Sequence, residues 1–455
     1  MSESIKGYKH AGDVDVRTFK LITATGQVID LQSVTVEFSV YQSLFEHYLQ
    51  CDLVVNDSLG LFNTINEIKD GVTQGGFSGA EMLVVSYRSN DASLPYKNHV
   101  FNLYEMSDRK RIEENSEVYF FSGISVEAYM ASSQKISRSY GGVEGNDISS
   151  MIQSITSEFV YNANAKSIHS SVREAVNFRV TKQNDFDKTN GKQKFIIPNL
   201  SVDDTIDFLC KESDSDDHIP YYMFYENSRG FNFKNLGRLV QKESKETYSY
   251  ISSNFSGMFK DKKNDEYTEA TNIRSFEVLK QSDFLENLES GLYQSRNIFI
   301  DTLKKNKREV VYKYDDYISK FKKLQKFKIA GGQTIGEPVV RMNTSRHGHD
   351  NDSLFSSEIA STKKFSEHLA QSEGYFSHIF NTQVEVVVPG DSELDVGDVI
   401  KLSIPSSSNV KDQVGAEDKY LSGKYLITKL RNKFLDGSES MSTIMECVKD
   451  TATKQ

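Results

Sequence analysis

The chain has 455 residues, more than one ordinary core holds, and at roughly 100 to 200 residues per domain it divides into about three or four units. Hydrophobic residues make up 38% and charged residues 26%, with 28 Phe and 23 Tyr, which is enough apolar material for several cores and excludes a disordered chain. A net charge of -10 argues against a general nucleic-acid binder, no apolar run reaches the roughly 18 to 20 residues that span a bilayer, and the opening MSESIKGYKHAGDVDV lacks the apolar stretch of a secretory leader, so the chain is expected to stay in the cytoplasm where it is made.

The first third reads as β. Val34, Val36, Phe38 and Val40 alternate with polar neighbours, the period-two pattern of a half-buried strand, and Cys51, Leu53 and Val55 repeat it. Further strands are predicted at Glu81–Ser89, around Phe101, Leu103 and Tyr104, and at Val118–Ile124, with Gly26, Asn56, Asp57, Gly75, Gly76 and Gly79 between the runs. Near residue 145 the period changes: Ile148, Met151, Ile152, Ile155 and Phe159 fall on one helical face, with Asn146 and Asp147 placed to cap it. A second helix is predicted from Ser201, whose hydroxyl can accept from the first turn, with Val202, Ile206 and Leu209 on one face. Two aromatic strand runs from Tyr221 to Phe233 surround Asn227–Gly230, a hairpin signal.

The stretches Asp261–Asn272 and Arg341–Ser361 are polar and read as loops or inserts. Phe365, Leu369, Ser372, Tyr375, Phe376 and Ile379 then continue one helical face. After it β returns, with Val384, Val386 and Val388, a turn at Pro389, Gly390 and Asp391, a strand from Val399 to Ile404, and two more at Tyr425–Leu430 and Met441–Val448 separated by Asp436, Gly437 and Ser438. The expectation is a mainly β chain with an α+β middle.

No chemistry stands out against this background. Cys51, Cys210 and Cys447 are odd in number and far apart, so they read as small buried hydrophobes and not as a disulfide framework or thiolate metal site. His347 and His349 with Asp350 lack a third histidine, and Ser213–His218 has Ile219 and Tyr225 where a calcium loop needs Gly and Glu, so no metal or cofactor is expected. There is no GxSxG, Walker A, HExxH or GxGxxG, and no catalytic residue is assigned. Tyr119–Phe121 and Tyr221–Tyr225 have the strand period of core residues more than that of carbohydrate or base platforms. The lysine-containing run Lys304–Lys326, interrupted by acids and aromatics, reads as a solvated or subunit-facing surface.

With these segments placed, the sequence resembles the baseplate hub proteins of contractile-tailed bacteriophages. VEVVVPGDSELDVGDVIKLSIP (Val384–Pro405), followed by LSGKYLITKL and a final strand before KDT, looks like the closing strands of that family's second tube-like barrel. IPNLSVDDTIDFLCKES with YYMFYENSRGFNFKNLGRL, and SQKISRSYGG near Tyr140, are similar to its second domain, and Phe276–Asp301 looks like the return of the chain into the second barrel. The resemblance implies two tail-tube-like β-barrels, a helical α/β domain and an insert domain, arranged as 1–133 (first barrel), 134–268 (α/β middle), 269–303 with 362–455 (second barrel) and 304–361 (insert). It further implies a homotrimeric, pseudo-sixfold ring that joins the tail tube or a tube-initiator protein to the central spike among baseplate wedge proteins. Such a ring passes DNA through its lumen, has no membrane span, and sits in the virion after assembly in the host cytoplasm. Two other roles fit the same pattern: a spike-associated protein with cell-wall-degrading activity, and the hub of a bacterial contractile injection or secretion system.

Overall fold

A computed structural model describes residues 11–58, 60, 65, 76–89, 93–114, 116–141, 145–160, 184–215, 219, 221–250, 269–301, 305–325, 329, 338–344, 362–406, 417–435 and 440–451. Seven strands come first: β1 (Val14–Ile22), β2 (Val28–Asp30), β3 (Thr35–Ser43), β4 (Gln50–Asp57), β5 (Met82–Ser89), β6 (Lys97–Glu113) and β7 (Ser116–Ser125). The middle contributes β8 (Lys135–Tyr140), β9 (Asp185–Phe186), β10 (Phe195–Ser201), β11 (Tyr222–Asn227), β12 (Gly230–Asn235) and β13 (Ser244–Ser249). Then follow β14 (Ser275–Gln281), β15 (Gln294–Asp301), β16 (Asn306–Lys313), β17 (Val339–Thr344), β18 (Thr382–Pro389), β19 (Val399–Ser403), β20 (Gly423–Leu435) and β21 (Ser440–Lys449).

Thirteen strands form one sheet in the order β14-β18-β21-β20-β3-β4-β7-β6-β5-β1-β2, with β19 and β13 attached through β20. The mainly β expectation holds. The two expected barrels are one continuous sheet over two cores, and no strand pairing among the described residues closes either of them. The bridge is β20: its first residues pair with β19, Lys429–Leu435 pair with β3, and β21 lies along its other side. Phe434 of β20 and Met441 of β21 therefore pack with Phe38, Phe101 and Phe121 in the first core. Each such buried side chain contributes about 1.5–3 kcal/mol, so the first core is completed by residues nearly 400 positions away.

Alternation predicts the buried face well except at bulges. Phe38 and Val40 are fully buried, but Val36, expected beside them, is 47% exposed while Thr35 is buried. The ladder between β3 and β4 shifts between Thr35 and Glu37, and an extra residue turns everything before it to the other face. The β6–β7 ladder shifts likewise between Leu103 and Glu105: Phe101 and Leu103 face the core, and beyond the bulge Met106 packs against it while Glu105 is exposed.

In the middle, a third core gathers Ile148, Met151, Ile152 and Ile155 from helix Ile148–Ile155, Ile206 and Leu209 from helix Val202–Glu212, and Phe224, Phe231 and Phe233 from the β11–β12 hairpin. Both caps are made as predicted in kind: the Ser150 amide donates to the Asp147 carboxylate at 3.1 Å, and the Asp204 amide to the Ser201 hydroxyl at 3.0 Å. The first helix does not continue regularly to Phe159. It widens into a π turn at Thr156–Val160, which buries Thr156 and Val160 and leaves Phe159 only partly covered. In the hairpin, the Asn227 side-chain oxygen accepts from the Arg229 and Gly230 amides, and Gly230 takes the positive φ expected of it.

Strand β14 joins the large sheet through β18, but β15 pairs with β16 and β17 in a separate three-stranded sheet. The inner face of that small sheet packs on helix Thr362–Ile379, where Tyr312 lies against Gly374 and Arg341 pairs with Glu373. Among the described residues, no helix is long and apolar enough to cross a membrane.

Candidate functional site

The segment Pro389–Asp398, which links β18 to β19, is where the parts of the chain are fastened together. Leu394 and Val396 anchor it in the core beneath β18–β20, so its backbone is held and the intervening acids are fixed in place. Toward the first part of the chain, the Ser89 amide donates to the Ser392 hydroxyl at 2.9 Å and the Ser392 amide to the Ser89 hydroxyl at 2.7 Å. Lys97 donates to the Leu394 carbonyl and to Asp395 Oδ1 at 3.1 and 3.0 Å, and Gln42 donates to the same carboxylate at 3.1 Å. Toward the middle, the Ser228 hydroxyl donates to Asp395 Oδ1 at 2.6 Å and Arg229 Nε lies 3.2 Å from Oδ2. Lys242 donates to the Gly397 carbonyl at 2.9 Å, Lys245 reaches the Glu393 carbonyl and the Asp398 carboxylate, and Tyr248 donates to Asp391 at 2.8 Å.

Asp395 is buried, and burial works to raise its pKa, but Lys97, the Ser228 hydroxyl and Arg229 outweigh this and hold its carboxyl below the usual value. Gly397 has a φ of +81° and sits so close to Tyr225 that a Cβ would come within 2.5 Å of the phenolic oxygen. The chemistry here is that of a lock: charge-assisted hydrogen bonds from two separate regions converge on one rigid turn.

A second fastening lies at the turn between β3 and β4. His47 sits between Asp207, 3.0 Å from Nε2, and Asp203, 3.4 Å from Nδ1, both on helix Val202–Glu212. The Tyr48 hydroxyl donates to Asp203 at 2.8 Å, and the Leu49 amide donates to buried Glu226 at 3.0 Å. Burial alone would lower the His47 pKa, but the hydrogen bonds to Asp203 and Asp207 carry it up to about 9. Because the folded value lies above the unfolded one, the stabilisation is complete below about pH 6.5 and is lost as pH rises through about 9. The expected loss is on the order of 1–2 kcal/mol, since both carboxylates are substantially exposed and screened. His47→Gln should flatten the alkaline limb of stability against pH, and the imidazole should titrate near 9 by NMR; titration near 6.5 would refute the arrangement.

Across the β3–β20–β21 seam the sheet presents a polar face. Glu37 pairs with Arg431 at 2.8 Å and Lys433 at 3.0 Å, and Lys429 pairs with Glu446 at 2.9 Å. An open depression of about 440 Å³ lies there, lined by Tyr41, Glu46, Gln50, Glu385, Lys429 and Arg431 among others.

The residues weighed as chemistry from sequence lie elsewhere. Tyr119, Phe121 and Tyr222–Tyr225 are buried in cores, and Cys51, Cys210 and Cys447 are free and buried. Asp214 and Ser215 are buried, while 216–218 and His347, His349 and Asp350 lie outside the described residues. Among the described residues no cluster of His, Cys, Asp or Glu could hold a metal. Lys305, Lys307, Lys313 and Lys320 are exposed. Sequence reasoning missed the locking role of Asp395 and Asp398; the available signal was acids set between the buried apolar positions Leu394 and Val396 in a turn joining two strong strands.

No protein-family model matches the chain, and no curated protein matches it. Among solved structures, the crystal structure of a tail protein from Neisseria meningitidis MC58 is similar with a TM-score of 0.53 at 8% identity, covering 97% of each chain. The crystal structure of a 43 kDa tail protein of prophage MuSo2 from Shewanella oneidensis is similar with a TM-score of 0.52 at 8% identity, covering 95% of this chain and 98% of that one. The chain therefore shares its fold, over nearly its whole length, with these two tail proteins.

Proposed function

We propose that the chain is a non-enzymatic structural subunit of a contractile tail, the central hub that joins the tail tube to the spike. The observation that carries this reading is the continuous sheet: two β-rich parts joined edge to edge through β20 and β3 in a fold shared end to end with tail proteins. One chain then supplies two successive segments of a ring wall, and a homotrimer supplies six, which adapts a sixfold tube to a threefold spike. In this reading residues 1–133 form the first tube-like unit, 134–268 the α/β middle, and 269–303 with 362–455 the second unit. Residues 304–361 form the insert. The fastenings at Asp395 and His47 tie the units together, as an adaptor between tube and spike requires.

The polar face at β3, β20 and β21 is the proposed lumen lining. Its cations are neutralised by acids on the same face, so it offers no uninterrupted basic track on which DNA phosphates would arrest. The tube or tube-initiator protein, the spike and the baseplate wedges are the proposed neighbours.

The test is the solution mass by light scattering followed by averaging of particle images. A particle of about 155 kDa, three times the 51.6 kDa chain, with a central hole lined by this face supports the hub. A monomer that also fails to form a ring with added spike overturns it, and a ring with this face outward overturns the lumen assignment alone.

A further inference from the structure

Two surfaces of the chain expose apolar side chains in opposite electrostatic settings. On the outer face of the small sheet, register places Val311, Arg296 and Val340 in one row, Glu309, Ile298 and Met342 in the next, and Lys307 and Ile300 in the third. Ile300, Val311, Val340 and Met342 are 41%, 48%, 50% and 73% exposed. Val340 and Met342 are neighbours on β17, Ile300 lies diagonally from Met342, and Val311 lies across Arg296, while Ile298 at the centre is 7% exposed. Among the described residues of this face the charges are Arg296, Lys307 and Lys313 against one acid, Glu309, which already lies between Arg296 and Lys307. The face is apolar with a basic balance.

The second surface is the open edge of the large sheet. Among the described residues β14 pairs on one side only, with β18, and the short helix Phe284–Glu289 follows it directly, held back against the strand by the Lys280–Glu286 pair. Leu279 and Leu285 are 46% and 70% exposed, and Val278 and Phe284 are each 37% exposed. Here β14 and the helix carry Glu277, Asp283, Glu286 and Glu289 against Lys280, with Arg274 exposed just before the strand. This surface is apolar with an acidic balance.

We infer that the basic apolar face of the small sheet docks on the acidic apolar edge formed by β14 and helix Phe284–Glu289 of a second copy of this chain. In a chain of net charge -10 a basic, apolar face is the exception, and the same chain displays its complement in both apolarity and sign. Contact between two different surfaces is heterologous, the kind that closes rings, so the proposal rests on the ring reading above and gives it a specific interface. It also covers a strand that, among the described residues, is an edge, the kind of element that invites strand addition.

The experiment is charge exchange in the full chain, read by sedimentation equilibrium at low and high salt. Lys307→Glu with Lys313→Glu, and separately Glu277→Lys with Glu289→Lys, should each weaken self-association by about tenfold or more, because like charges then face one another. All four substitutions in one chain should restore association to within about threefold of the parent, which damage to the fold would not do. Circular dichroism and melting of each variant check that it is folded. Self-association insensitive to both pairs, or a combined variant no better than either pair, overturns this docking and leaves the hub reading intact. Absence of self-association with the parent chain, with and without spike, overturns both.

Discussion

Asp395→Ala is expected to destabilise the chain by roughly 3–5 kcal/mol, among the largest effects a single polar substitution can have here. The cost comes from what remains. Lys97 is 12% exposed and would keep its charge without its carboxylate partner, while Gln42 and the Ser228 hydroxyl would lose an acceptor inside the protein. Asp395→Asn keeps the shape and removes the charge, and should fall between the parent and the alanine variant. The acid limb carries the same signature. A carboxyl held below its ordinary pKa contributes stability that is present above the unfolded value of about 3.9 and lost as pH falls through the folded value. The parent should therefore lose stability below pH 4 more steeply than Asp395→Asn does. Urea unfolding across this range measures both effects. An alanine variant within about 1 kcal/mol of the parent would show that the two regions do not depend on this carboxylate. Hydrogen exchange adds the spatial readout: amides of β5, β6 and the β11–β12 hairpin should open together in the variant, since the loop holds Lys97 on one side and Ser228 on the other.

Gly397→Ala should cost about as much by a different route. At φ +81° an L residue carries strain on the order of 1–3 kcal/mol, and the added Cβ would lie 2.5 Å from the Tyr225 hydroxyl. Tyr225 cannot swing away, because its ring is 1% exposed within the core, and overpacking at such a site costs about 1–3 kcal/mol more. A double-mutant cycle separates the two terms. Tyr225→Phe removes the oxygen at the point of closest approach, so it should recover part of the loss in Gly397→Ala and leave the backbone strain. Equal costs of Gly397→Ala with and without the hydroxyl would assign the whole effect to backbone conformation, and no cost at all would place the loop elsewhere. Melting temperatures and urea midpoints of the four proteins suffice.

The two substitutions lie two residues apart in a segment that, in one dimension, is only an acidic turn between strands. Its neighbours in space come from positions 42, 89, 97, 228 and 245, and no local period connects them. The same is true of His47, a lone histidine in a turn until helix Val202–Glu212 brings Asp203 and Asp207 to its two nitrogens.

What the sequence determined by itself was whatever local physics controls. Period two wrote the strands that bury Phe38, Val40, Leu53, Val384, Val386 and Val388, period 3.6 wrote the helices at Ile148 and Val202, and Asp147 and Ser201 marked their starts, because burial and capping act over a few neighbouring residues. The tertiary structure decided what depends on pairing between distant segments. The bulges that expose Val36 and bring Met106 to the core exist only against a partner strand, and so does the pairing of β15 with β16 and β17. The merger of two β-rich parts through β20 and β3, and the choice of Asp395 as the carboxylate that holds them, belong to that same long-range level. An apolar alternation specifies that a strand has a face to bury and does not specify which strand, or which cation, will cover it.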